Sequence, residues 1–268
     1  MDEQKGKLLT PPGSRLDCVD ALRGAALVWM AVFHFCFDLA TFKLIEADFY
    51  RDPFWTIQRT WILSMFLVCA GAGQAIAVAQ GQSWGRFWRR EGQILACALL
   101  VSAASYVMFP RSVITFGVLH GMVVMLLIAR LSAPLGAWLW PLGLLAVCLP
   151  WWFSHPWFDT RWTNWVGLVT HKPITEDYVP ILPWLGVMWW GMAATQWALK
   201  HRPEWLSTRV SPSASGDNAG VLRATPAWWR GLVHLGQWSL TFYMVHQPVL
   251  IGGLLAWMSL SGRGLPSW

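Results

Sequence analysis

Three ionisable side chains share one face of a single apolar stretch. In RLDCVDALRGAALVWMAVFHFCFDLATF, Arg23 and His34 stand eleven residues apart, and Asp38 follows His34 by four. Eleven residues are close to three turns at 3.6 residues per turn, so a helix puts all three groups on one side. An aspartate one turn from a histidine can hold its tautomer and raise its basicity, as a general base requires. Arg23, about 16 Å further along the axis, suits bidentate contact with an anion. The bland alternative is that His34 and Asp38 only tie helices together. Two further histidines lie in apolar runs. His120 sits in TFGVLHGMVVMLLIAR between Gly117 and Gly121, and His246 completes a stripe with Ser239 and Tyr243 in LGQWSLTFYMVHQPVLIG. Asp177, just before Pro180 and Pro183, is either a solvated loop residue or part of a broken backbone lining a cavity. Charged and titratable residues within spans are costly and usually face a bundle interior or a water-filled path.

The elements that must position these groups are transmembrane helices. Of 268 residues, 55% are hydrophobic and 13% charged, against about 25% charged in an ordinary soluble domain. The 22 tryptophans favour the membrane boundary, where the ring is apolar and its N–H stays wet. The expected fold is all-α, a polytopic transmembrane bundle of about seven spans. These are expected at 21–42, 59–80, 92–109, 113–130, 135–153, 180–199 and 235–259. A single integral membrane domain, 1–268, is expected. Its segments outside the spans are a cytoplasmic N-terminal segment (1–20), an extracytoplasmic loop (154–179) and a cytoplasmic linker (200–230) holding SPSASGDNAG. The polar start and the lack of a small-residue cleavage site predict that the first apolar stretch is retained as a helix.

Thirteen of the twenty Lys and Arg fall on the side of the N-terminus, with Arg86, Arg89 and Arg90 in one short loop. The positive-inside rule then predicts a cytoplasmic N-terminus in the plasma (inner) membrane. The net charge of +6 is scattered between apolar spans, which argues against nucleic acid as a partner. The five cysteines form no CxxC pair, so neither a disulfide framework nor a metal site is expected.

Four motifs occur in order over nearly the whole chain: DALRGAALVWMAVFHFCFDL, FGVLHG, DYVPILPWLG and LGQWSLTFYMVHQP. Together they resemble the bacterial branch of the heparan-alpha-glucosaminide N-acetyltransferase catalytic-domain family. The arginine–histidine spacing of Arg23 and His34 is also similar to the signature of the acyltransferase type 3 membrane proteins. The resemblance implies transfer of an acetyl or other acyl group from a cytoplasmic donor to an extracytoplasmic sugar or glycan. The donor substrate would be acetyl-CoA or a related acyl-CoA, with no bound cofactor. The lysosomal enzyme carries its catalytic histidine just after the first helix; the corresponding TFKLIEADFYRDPFW has none, which leaves His34 to carry the chemistry.

On this reading His34 is the base, Asp38 orients it and Arg23 contacts the donor's phosphates. His120, Asp177, Tyr243 and His246 line the acceptor side. The expected partners are the acyl donor, the glycan acceptor and the lipid bilayer, with homo-oligomerisation left open. Two other classes fit the same residues: a transporter or flippase using them as a proton or substrate path, and a non-enzymatic assembly subunit whose histidines hold haem or a metal.

Overall fold

The computed structural model describes residues 16–108, 110–202 and 226–262. Among these described residues there are eight α-helices and no strand. They are α1 (Asp17–Thr41), α2 (Pro53–Ala79), α3 (Trp84–Met108), α4 (Val118–Ser132), α5 (Leu139–Trp152), α6 (Ile181–His201), α7 (Ala227–Gln237) and α8 (Ser239–Leu260). Among the described residues five runs are long and apolar enough to cross a membrane: α1, α2, α3, the stretch Val118–Trp152 and α8. The fourth of these covers two of the expected spans.

Side-chain placement is the reverse of a water-soluble protein. Val107, Trp151 and Leu260 are about four-fifths exposed or more, while Asp20, Asp38, Glu91 and His246 are buried. Lipid rather than water is the solvent that makes such a surface stable.

The chain divides into two compact units, one built on Leu67–Ser207 and the other on Leu16–Phe66 with Thr208–Trp268. In the first, α4 and α5 pack on α6 in opposite directions. Gly121 of α4 meets the carbonyl of Val179, and Trp189 donates from Nε1 to Ser132 Oγ at 2.8 Å, so α4 runs with α6. Trp190 donates from Nε1 to the Trp140 carbonyl at 3.1 Å and Gly143 faces Gly186, so α5 runs back. The reversal falls at Ala133–Trp138, where Pro134 supplies no N–H and Gly136 has φ 56°. At 1.5 Å per residue, α4 is about 22 Å long, shorter than the roughly 30 Å hydrocarbon core.

The expected fourth span began at 113. The helix begins at Val118 because 112–117 is committed elsewhere: Glu176 N–H donates to the Ser112 carbonyl and Val179 N–H to that of Phe116.

In the second unit, α7 lies antiparallel on α1. A side chain on Gly24 would strike the Leu232 carbonyl and one on Gly236 the Asp20 carbonyl, so glycine alone permits this approach. Leu27, Met30, Phe33, Phe49 and Ile62 form a core beside it, with Trp55 stacked on Phe49 at 4.0 Å. Most of the expected 200–230 linker and residues 1–15 of the N-terminal segment lie outside the described residues; from Ala227 onward the chain is already α7.

Candidate functional site

In the α1–α7–α8 unit the sequence-predicted residues fall into two groups. Arg23 is paired within its own helix: Nη1 donates to Asp20 Oδ1 at 2.8 Å. Asp20 is 5% exposed, and its Oδ2 has no hydrogen-bond partner. Sequence reasoning passed over Asp20, although its i, i+3 spacing to Arg23 is the signal for such a pair.

Three turns along α1, the rings of His34 and His246 meet edge to face, with centroids 5.1 Å apart and planes at 86°. Phe242 lies parallel to His246 at 5.8 Å, and Tyr243 packs against it at the same distance. Asp38 does not bond His34. Its Oδ1 accepts from Gln247 Nε2 at 2.7 Å, and the same amide lies beside His34 without its oxygen closing a hydrogen bond. Gln247 stands next to His246 in VHQP, where an uncharged amide gives no titratable signal in the sequence.

His246 Nδ1 lies 2.7 Å from the Tyr243 carbonyl. A carbonyl only accepts, so Nδ1 carries the proton and Nε2 of the neutral ring holds the lone pair. His246 is 8% exposed, and Nε2 has no partner; neither does Asp38 Oδ2 or Gln247 Oε1. Three acceptor atoms of neighbouring residues are thus buried without a donor. Buried polar atoms are normally satisfied, and those that are not call for an explanation, of which a catalytic role is one.

The other unit holds His120 and Asp177, and both bond to segments of that same unit. Gly117 N–H donates to His120 Nδ1 at 3.3 Å, which leaves the proton on Nε2 to donate to Ser102 Oγ at 3.2 Å. Ser102 in turn donates to the Ile114 carbonyl at 2.6 Å. His120 is the third residue of α4 and reaches back to the residue before the helix, as the glutamate of a capping box does. Asp177 Oδ2 accepts from Val118 N–H at 2.7 Å, an anion on the positive end of α4.

Glu91 is also in this unit, 3% exposed with Oε2 unpartnered. The third span is expected from 92, which puts Glu91 in the preceding loop, whereas α3 already begins at Trp84. Among the described residues no group of three or more His, Cys, Asp or Glu side chains could hold a metal ion.

These features define a polytopic α-helical membrane protein with titratable groups buried among its spans. The chain belongs to the heparan-alpha-glucosaminide N-acetyltransferase catalytic family, whose model matches residues 15–248. That membership makes it a member of a membrane acyltransferase family and accounts for the apolar exterior. No curated protein and no solved structure matches it.

Proposed function

We propose that this protein moves an acetyl or other acyl group from acetyl-CoA, or a related acyl-CoA, at the cytoplasmic face to a sugar or glycan on the far side of the plasma membrane. The observation that carries this reading is the His34–His246 pair, with His246 buried and His34 half-buried, flanked by Asp38 and Gln247, in a chain of this family. A neutral imidazole of that pair accepts the proton of the acceptor hydroxyl or amine as its lone pair attacks the thioester carbonyl. The carbon–sulfur bond breaks, and the thiolate takes up the proton. Arg23, oriented by Asp20, faces the donor's phosphates; Asp38 orients the pair through Gln247; Tyr243 lines the acceptor side. His120 and Asp177 act on that side by fixing the 112–117 and 175–179 segments.

Mass spectrometry of cell-envelope glycans and lipids, with and without the protein, tests this. A fixed difference of one acyl group, carrying label from acetyl-CoA, is expected; no difference in any extractable species would move the protein to the transport or assembly class. Sidedness has its own test. Arg89→Cys should react with an impermeant thiol reagent only from the cytoplasm and Lys172→Cys only from outside, and the reverse pattern would invert donor and acceptor faces.

A further inference from the structure

Both imidazoles of the pair could in principle act as base, and the sequence pattern favours His34. The hydrogen bonds separate them. His246 has its proton position set by the Tyr243 carbonyl, its ring packed parallel to Phe242 and at a right angle to His34, and its Nε2 lone pair buried without a partner. The next residue, Gln247, ties α8 to Asp38 of α1, so the ring cannot slide along its neighbour. His34 has a different neighbour. The amide beside it has committed its N–H to Asp38, and the atom left over, Oε1, is an acceptor. That environment suits His34 as an N–H donor, whereas the environment of His246 suits it as a proton acceptor.

We propose that His246 Nε2, rather than His34, is the atom that accepts the proton of the acyl acceptor, with His34 buttressing its ring. The assignment rests on the acyl-transfer reading above. In the step, the acceptor O–H or N–H bond breaks and its proton goes to Nε2. The freed electron pair forms the new bond to the acyl carbon. The carbon–sulfur pair leaves with sulfur, and Nε2 returns the proton to give the free thiol.

The decisive variant is His246→Asn. The asparagine amide can keep an N–H on the Tyr243 carbonyl but has no basic nitrogen. In a strain lacking the gene, complemented with each form, acyl groups on envelope glycans are counted per folded molecule in the membrane, with thermal stability recorded alongside. His246→Asn is expected to lose 10²- to 10⁴-fold in transfer while remaining folded. Transfer within tenfold of wild type by folded His246→Asn overturns the assignment and leaves the acyltransferase reading standing. A wild-type protein that adds no acyl group overturns both. Independently of turnover, ¹⁵N spectra of histidine-labelled protein in lipid should show His246 protonated on Nδ1 and bare on Nε2. A proton on Nε2 instead would also overturn the assignment.

Discussion

His120 and His246 lie in different units and use the same ring nitrogen in opposite senses. Nδ1 of His120 accepts from Gly117 N–H, and its Nε2 proton feeds Ser102 and then the Ile114 carbonyl. Nδ1 of His246 donates to the Tyr243 carbonyl, and its Nε2 is buried with nothing to bond. The first ring is spent on holding a helix start; the second has a lone pair to use. A histidine in an apolar span is therefore not a functional signal in itself. What separates a structural from a chemical imidazole is whether its last nitrogen is satisfied.

The largest effect that bears on this contrast should come from the unsatisfied side. His34→Ala removes the ring that abuts His246 and is expected to lower transfer per folded molecule about 100-fold, the scale of a misplaced catalytic group. Unchanged turnover by the folded variant would separate His34 from the site. On the satisfied side the outcome should be the opposite. His120→Ala leaves Gly117 N–H and Ser102 without their partner and should lower stability by about 1–3 kcal/mol, with turnover per folded molecule unchanged. His120→Gln should recover much of that stability, because glutamine at the third helical position can reach back to the same N–H. Thermal unfolding in detergent together with the glycan assay checks both. Lost turnover with full stability in His120→Gln would break the comparison.

Apolar spans, and with them the fold class, are visible in the sequence because lipid imposes them residue by residue. The Arg23–His34–Asp38 face of α1 is visible for the same reason that helices are regular. The partners are harder to see. Gln247 is an uncharged residue and its bond to Asp38 joins positions 209 apart, so no local spacing announces it. The helix α7 was hidden because its eleven residues are amphipathic rather than apolar throughout, and its fit on α1 depends on Gly24 and Gly236, which look like ordinary small residues. The start of α4 was misplaced by five residues because its cap comes from Asp177, far along the chain.

That cap supplies the next effect in size. Asp177→Ala should cost about 0.5–2 kcal/mol, the range for losing a helix cap. Asp177→Asn keeps an acceptor for Val118 N–H and should lose only the charge on the helix dipole, about 0.3–1 kcal/mol. If instead Asp177→Asn abolishes transfer at full stability, Asp177 handles substrate directly and the unit that holds α4 has a chemical site of its own.

The smallest effect concerns Tyr178, beside Asp177 in the segment ahead of α6. Its hydroxyl donates to the Asn164 carbonyl at 2.7 Å, and burial, together with the charge of Asp159, pushes the phenol up to about 12. An unfolded tyrosine ionises near 10. The folded state therefore keeps the proton that the unfolded chain has begun to lose, and stability must fall as pH rises through that interval. The contribution is fully present below about pH 10 and is lost as pH rises toward 12. Tyr178→Phe removes both the hydrogen bond and the titration. It should lower stability by about 0.5–1.5 kcal/mol at neutral pH and flatten the decline of melting temperature above pH 10. Asp159→Asn should end that decline at a slightly lower pH and make it slightly smaller, with the onset near pH 10 unmoved, since burial, the larger cause, and the unfolded tyrosine are unchanged. Melting curves from pH 8 to 12 for the three proteins decide the matter. An alkaline decline as steep in Tyr178→Phe as in wild type would show that another group titrates there and that Tyr178 contributes only its ring.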